Sequence, residues 1–263
     1  MEMERKVALV TGGSTGLGKM AAAQLGKAGY RLAVNSRTDR GHADGLSPIL
    51  GPEEGEVLRV YGNVSRREEA EQVVAETLAH YGRLDVLVHA VGPFIRERKW
   101  FVEHSAAEIE EMIAGNLLSA MWITRAVLPG MRKRKWGRII FFGFGRAMEA
   151  PAWPDRSVYA AAKTGLVSFT KTLAVEEAPF GITVNMVCPG DIVGNNKEML
   201  IDQVRMLNDE ETPRGRPGSG EDVARVICFL VEEKSDFVTG NLINVTGGLD
   251  VIHPVSKRKH PDF

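Results

Sequence analysis

Cysteine is scarce in this chain: 263 residues carry two, Cys188 and Cys228. Two cysteines cannot build the disulfide framework of a small secreted domain, so a reducing, cytoplasmic setting is expected. Net charge is scarce too, with 33 Lys and Arg against 34 Asp and Glu. A formal charge of −1 leaves no overall field to draw in nucleic acid or an anionic membrane, and neither is expected as a partner. No apolar run approaches the roughly 18 residues that a membrane span needs. The opening residues 1–6 are charged and lead straight into a strand-like run, so no signal peptide is expected. No metal site is expected either.

Glycine, by contrast, is plentiful, with 28 in the chain. Such a count suits many tight turns between strands and helices. Short β-rich runs at 7–10, 32–35, 57–60, 84–89, 138–142, 183–188 and 242–245 alternate with longer helical patterns. Most are continuously apolar rather than alternating, as parallel strands buried on both faces should be. Capping boxes at Ser65–Glu68 and Ser105–Glu108 mark two helix starts. A third helix should open near Asp155 or Ser157 and stop near Pro179 and Gly181, and a fourth should open at Ser219. Alternating strands and helices predict an α/β, Rossmann-type, three-layer doubly wound fold with a seven-stranded parallel sheet. The Gly/Pro-rich stretch 212–220 reads as a loop, because the about 43 residues beyond it are too few to fold alone. One domain over 1–263 follows.

The first strand runs into Thr11-Gly12-Gly13-Ser14-Thr15-Gly16-Leu17-Gly18, and a helical run follows. Glycines there allow a sharp turn and a close backbone approach, while the free N–H groups of the new helix suit a diphosphate. The spacing Gly-x-x-x-Gly-x-Gly (Gly12, Gly16, Gly18) differs from the Gly-x-Gly-x-x-Gly of ordinary dinucleotide folds. In this turn the chain resembles the short-chain dehydrogenase/reductase family, and the resemblance runs from about residue 5 to 249. By overall look it is nearest the branch of 3-oxoacyl-thioester (acyl carrier protein) reductases.

The resemblance implies a nicotinamide cofactor, and the end of the second strand chooses which. A carboxylate there would bond the ribose hydroxyls and repel a 2′-phosphate. This chain has Ser36 and Arg37, and a guanidinium beside a hydroxyl accommodates that phosphate, so NADP(H) is favoured over NAD(H). The bland reading is an arginine on a solvated loop, with Arg40 close by. By the same resemblance Ser14, Thr15 and Leu17 join the glycines of the first turn as cofactor contacts. Asn63 and Val64 would flank the adenine, Ala90 and Gly92 would follow the fourth strand, and Pro189, Gly190 and Ile192 would flank the nicotinamide.

Tyr159-Ala-Ala-Ala-Lys163 sets a phenol and an amine four residues apart, on one face of a helix if the stretch is helical. A phenol titrates near about 10, too high for proton transfer at neutral pH. A nearby ammonium lowers it, and the phenol can then give a proton to a carbonyl oxygen or take one from an alcohol. The resemblance implies that Tyr159 is the acid/base and that Lys163 lowers its pKa and binds the nicotinamide ribose. It also implies that Asn116 bends its helix and holds a water beside the lysine.

Several positions depart from the family. Its active-site serine falls on Phe144 or, counted back from Tyr159, on Arg146, because two residues are inserted. The amides of Gly143 or Gly145, a water or the Arg146 guanidinium are candidate replacements, and Ser157, two residues before Tyr159, should point elsewhere. His89 replaces the first Asn of Asn-Asn-Ala-Gly and reads as a hydrogen-bonded core histidine. Asn63 replaces an Asp, and Gly194 replaces a Thr. The basic run 132–135 reads as a solvated loop, and the basic stretch 257–260 as a frayed tail. Residues 194–215 correspond to the family's substrate lid, although Met199, Leu200, Met206 and Leu207 have the spacing to pack onto the core instead.

The expected activity is hydride transfer between NADP(H) and a ketone or secondary alcohol, with a small-molecule or acyl-thioester carbonyl substrate. The family implies a homo-oligomer, a tetramer or a dimer. A dinucleotide-binding sensor or scaffold with weak or no catalysis is the alternative that the missing serine motivates. An enoyl-thioester reductase is a third reading, set back by the four-residue Tyr–Lys spacing.

Overall fold

The computed structural model describes residues 5–38, 57–95 and 97–249, so Arg40 and the basic stretch 257–260 lie outside the described residues. Seven strands form one parallel sheet: β1 (Val7–Thr11), β2 (Arg31–Ser36), β3 (Leu58–Tyr61), β4 (Val86–His89), β5 (Gly137–Phe142), β6 (Ile182–Pro189) and β7 (Leu242–Val245). Their order is β3-β2-β1-β4-β5-β6-β7. All seven sequence-predicted strands are present, the fourth starting two residues later than expected. The apolar runs of β1 and β5 are buried along their whole length, because helices cover both faces of the sheet.

The helices are α1 (Gly16–Lys27), α2 (Arg67–Tyr81), α3 (Ala106–Ile113), α4 (Ser119–Arg134), α5 (Ser157–Glu177), α6 (Ile201–Val204) and α7 (Gly220–Val231). One face of the sheet packs on α1 and α7, through Leu25, Ile227 and Leu230. The other packs on α2, α4 and α5, through Val73, Ile123 and Leu166. The strand order reverses between β1 and β4, where Thr11 lies beside His89. In open parallel sheets the crevice at the carboxyl ends of the strands beside that reversal is where ligands bind.

Two of the expected helix starts form as read. Ser105 Oγ accepts from Glu108 N, and the Glu108 carboxylate accepts from Ser105 N at 2.9 Å. Ser219 and Asp222 form the same reciprocal pair, and Arg216 grips Asp222 with two bonds of 2.8 Å. The box at Ser65 does not form. Asn63 Oδ1 accepts from Ser65 N, while Glu69 rather than Glu68 reaches back to Asn63 N at 2.7 Å. The asparagine competes better for the local backbone donors, so α2 begins at Arg67.

The basic run 132–135 is not a solvated loop. Arg132 makes a two-pronged pair with the buried Glu177, and Arg134 donates to the buried Asp85 and to Leu84 O. Asp85 also accepts from Arg83 and from Val7 N at 2.9 Å, which ties β1 to β4 at the end remote from the crevice. These cations lock the base of the sheet and leave the opposite end for chemistry. In the segment 194–215, Val204 packs inward while Met206 and Leu207 are exposed, so the apolar residues there divide between core and surface.

Candidate active site

Every sequence-predicted site residue lies on or just beyond a strand's carboxyl end, or on the helices packed there. The β1–α1 turn bends at Gly12, where φ is +65°. A Cβ at Gly18 would stand 2.3 Å from Gly12 O, so only glycine lets α1 start this close to β1. Ala90 closes the same corner, its methyl 3.1 Å from that point. Leu17 anchors the helix start in the core, and Ser14 and Thr15 line the turn.

The turn already holds an anion. Glu198, in the short helical turn Gly194–Glu198, accepts from Gly16 N at 2.6 Å and from Lys19 Nζ at 2.6 Å. Neither Lys19 nor Glu198 stood out in the sequence. Lys19 lies one residue past the glycine motif, and Glu198 is 182 positions away from Gly16.

At the far edge of the sheet Ser36 ends β2 and donates to Thr38 O, and Arg37 beside it is exposed. Gly62 N donates to Ser36 O, which brings Asn63 and the buried Val64 to the same edge. Asn35 Nδ2 braces this corner by donating to Val60 O and Gly62 O. At the other side Gly190 N donates to Val245 O just after Pro189, and Ile192 is buried against the core.

Between these corners, Tyr159, Lys163, Asn116 and Gly92 converge. Asn116 lies in a single π-helical turn, Ala114–Leu118, that joins α3 to α4 and widens the helix there. Its Nδ2 donates to Pro93 O and Met112 O, while its Oδ1 is buried without a partner among the described residues. A Cβ at Gly92 would stand 2.6 Å from that Oδ1 and 3.1 Å from Lys163 Nζ. The absent side chain thus lets an amide oxygen and an ammonium both come close to the backbone of Gly92.

Lys163 is buried and donates to Phe142 O at 2.8 Å, and burial pulls its pKa down to about 8. Its Nζ stands 5.9 Å from the Tyr159 ring centroid. Burial also raises the Tyr159 phenol above its ordinary value, opposite to the direction expected of a lysine partner. With its ammonium committed to a carbonyl, the lysine does not offset that burial here.

The two candidates for the serine position, Phe144 and Arg146, have different surroundings. The Phe144 ring centroid lies 6.0 Å from that of Tyr159 and 4.9 Å from Trp153, and Phe94 meets Tyr159 at 5.0 Å. Arg146, the other candidate, takes a left-handed backbone with φ +66° and pairs with Glu149. Of the candidate replacements for a serine hydroxyl, Gly143 N already donates to Val187 O and Arg146 is engaged with Glu149. Ser157 is exposed, as its spacing from Tyr159 required.

His89 is a core histidine. Ser119 gives its one hydroxyl proton to Gly115 O at 2.6 Å, so His89 Nε2 donates to Ser119 Oγ, and the bare Nδ1 accepts from Thr11 Oγ1. Burial first, then the charge of Lys163, holds its pKa down at about 3. Among the described residues no grouping of His, Cys, Asp and Glu suits a metal ion, and no helix is long and apolar enough to cross a membrane.

A family model described as Enoyl-(Acyl carrier protein) reductase matches residues 12–250. A Bacillus subtilis (strain 168) protein, "Putative oxidoreductase YtkK", is 46% identical over 247 residues, covering 94% of this chain and 97% of its own length. The 3-oxoacyl-[acyl-carrier-protein] reductase FabG of Haemophilus influenzae is 33% identical over 248 residues, covering 94% and 99%. Among solved structures, a "putative 3-oxoacyl-reductase" from Bacillus thuringiensis superposes with a TM-score of 0.88 at 43% identity, over 95% of this chain and 100% of the other. ElxO with NADP bound superposes at 0.81 with 27% identity, over 93% and 98%. With the glycine turn, the Tyr159/Lys163 pair and the sheet order in place, the chain belongs to the short-chain dehydrogenase/reductase family of oxidoreductases.

Proposed function

We propose that this enzyme is an NADP(H)-dependent carbonyl reductase or alcohol dehydrogenase, acting on a ketone or secondary alcohol that includes 3-oxoacyl thioesters in its class. The observation that carries this is the convergence of Lys163 Nζ and the unpartnered Asn116 Oδ1 on the backbone of Gly92, beside Tyr159. A buried amide oxygen without a donor invites a hydroxyl or a water. The glycine cradle at Gly12 and Gly18, and the turn that already binds a carboxylate, fit a diphosphate. Ser36 and Arg37 suit a 2′-phosphate, and NADP is bound in the ElxO structure. Asn63, Val64, Ala90, Pro189, Gly190 and Ile192 complete the walls.

When bound, the nicotinamide supplies or accepts the hydride. Tyr159 Oη gives its proton to the carbonyl oxygen in reduction and recovers it in oxidation. Lys163, freed from Phe142 O to face ribose hydroxyls, brings its positive charge toward the phenol and lowers the pKa that burial has raised. Phe144, Trp153 and Phe94 pack against the Tyr159 ring, and with substrate in place they would keep water from the phenol and strengthen each charge interaction inside. Residues 194–215 act as the lid of one catalytic domain spanning 1–263. A cytoplasmic setting is part of this reading, and both cysteines are free. So is assembly into a tetramer or dimer through the helices that carry Asn116 and Tyr159, which light scattering would test.

Mixing enzyme, NADPH and a panel of ketones and 3-oxoacyl thioesters should consume NADPH. Tyr159→Phe should lower that rate by about 10²–10⁴-fold, the usual range for a general acid. Unchanged turnover in the variant would refute the role. Tight NADPH binding with no turnover across the panel would favour the sensor alternative, and turnover confined to enoyl thioesters would favour the enoyl reductase.

A further inference from the structure

The segment 194–201 lies against the start of α1, and its contacts there are specific. Glu198 places one carboxylate oxygen on the Gly16 amide and the other on the Lys19 ammonium, both at 2.6 Å. Backbone N–H groups and the positive end of a helix bind any anion of the right reach, so a carboxylate and a phosphate oxygen compete for them. The segment is also fastened behind this contact. Ile201 N donates to Glu221 Oε2 at 2.7 Å, Glu221 N donates to Met199 O, and a Cβ at Gly220 would stand 2.0 Å from Lys197 O.

We propose that Glu198 is a displaceable latch on the β1–α1 turn, holding the diphosphate position of the dinucleotide site closed until a diphosphate takes its place. The proposal rests on the reading of that turn as a dinucleotide site. Displacement is feasible because the Glu198 side chain is 35% exposed and returns to water without crossing the core. Gly194, at φ +53° with open space where a Cβ would be, lets the segment pivot on its N-terminal side, while Glu221 keeps its C-terminal side in place. Lys19, 13% exposed, stays at the helix start when the carboxylate leaves and can pair with the incoming phosphate. Glu198 therefore works against nucleotide binding, whereas Lys19 works against it while latched and for it afterwards.

The test compares wild type with Glu198→Ala by calorimetric titration, using NADPH and adenosine 2′-monophosphate as probes. The second probe fits the Ser36–Arg37 corner but brings no diphosphate. NADPH should bind about tenfold tighter to the variant, the size expected when a competing charged hydrogen bond is removed, with adenosine 2′-monophosphate unchanged. Hydrogen exchange over residues 15–20 should be faster in the nucleotide-free variant than in nucleotide-free wild type. Equal NADPH affinity for the two proteins would overturn the latch and leave the dinucleotide reading standing. Tightening of both probes alike would overturn it as well, since the effect would then be general. Failure of both proteins to bind NADPH or NADH would overturn the dinucleotide reading, and the latch with it.

Discussion

Replacing Lys163 by Met should stabilise the nucleotide-free protein at neutral pH while abolishing turnover. The lysine is 4% exposed, and burial lowers its pKa to about 8 from the ordinary lysine value of 10.5. That difference corresponds to about 3 kcal/mol of penalty for carrying the charge in the folded state at pH 7. Methionine fills a similar volume without the charge, but leaves Phe142 O without its donor, at a cost of about 1 kcal/mol. The expected net gain is about 2 kcal/mol at pH 7. Its sign follows from proton counting. Between the folded and unfolded values the unfolded chain holds the proton and the folded chain does not, so wild type gains stability as pH rises through that window. The advantage of the variant should shrink by about 1.4 kcal/mol per pH unit above about pH 8 and vanish near about pH 9.5. Urea unfolding followed by tryptophan fluorescence at several pH values measures this directly. A variant destabilised by the same amount at every pH would refute the claim that a costly buried charge is kept for function.

Three further outcomes follow from the same geometry. Gly18→Ala puts a methyl against Gly12 O, so thermal unfolding should show a loss of about 1–3 kcal/mol, together with weakened NADPH binding; an unchanged melting temperature would contradict the close approach. Arg37→Glu should weaken NADPH binding by at least about tenfold while sparing NADH, measured by fluorescence titration, and equal losses for both would remove the 2′-phosphate assignment. His89→Gln should leave the shape of the pH–rate profile between about pH 5 and 8 unaltered, because the histidine remains neutral throughout that range; the disappearance of an ionisation there would show that His89 titrates in the working enzyme.

The parts of the architecture that were legible share one property: they depend on residues close together in the chain. A continuous apolar run such as Val7–Thr11 is unstable unless covered on both faces, which marks a parallel strand before any contact is known. The Gly12–Gly18 spacing is read locally because the steric need is local. The Ser65 start failed although its competitors are equally local. Asn63 takes the Ser65 amide that the box would have used, Glu69 accepts from Asn63 N, and a pattern of first and fourth residues does not weigh that competition. Arg132 and Arg134 read as a solvated cluster because their partners, Glu177 and Asp85, are 45 and 49 positions away.

The same limit explains the active site's least familiar feature. An insertion between β5 and α5 leaves the serine position undecided by counting, since counting forward from the strand and backward from Tyr159 gives different residues. Packing separates the two candidates through a ring–ring contact that no spacing encodes: Phe144 meets Tyr159 and Trp153, while Arg146, with a left-handed backbone, pairs with Glu149. An aromatic ring there changes what the site asks of its substrate. A serine would offer a hydrogen bond to the carbonyl oxygen, worth on the order of 3 kcal/mol when preorganised. The ring offers none, so on the proposed roles of Tyr159 and Lys163 more of the oxygen's developing charge would be met by the Tyr159 proton and by the positive charge of Lys163. This enzyme should therefore depend on its tyrosine and lysine more steeply than a relative that retains the serine, and Phe144→Ser should soften that dependence by admitting a second donor to the carbonyl.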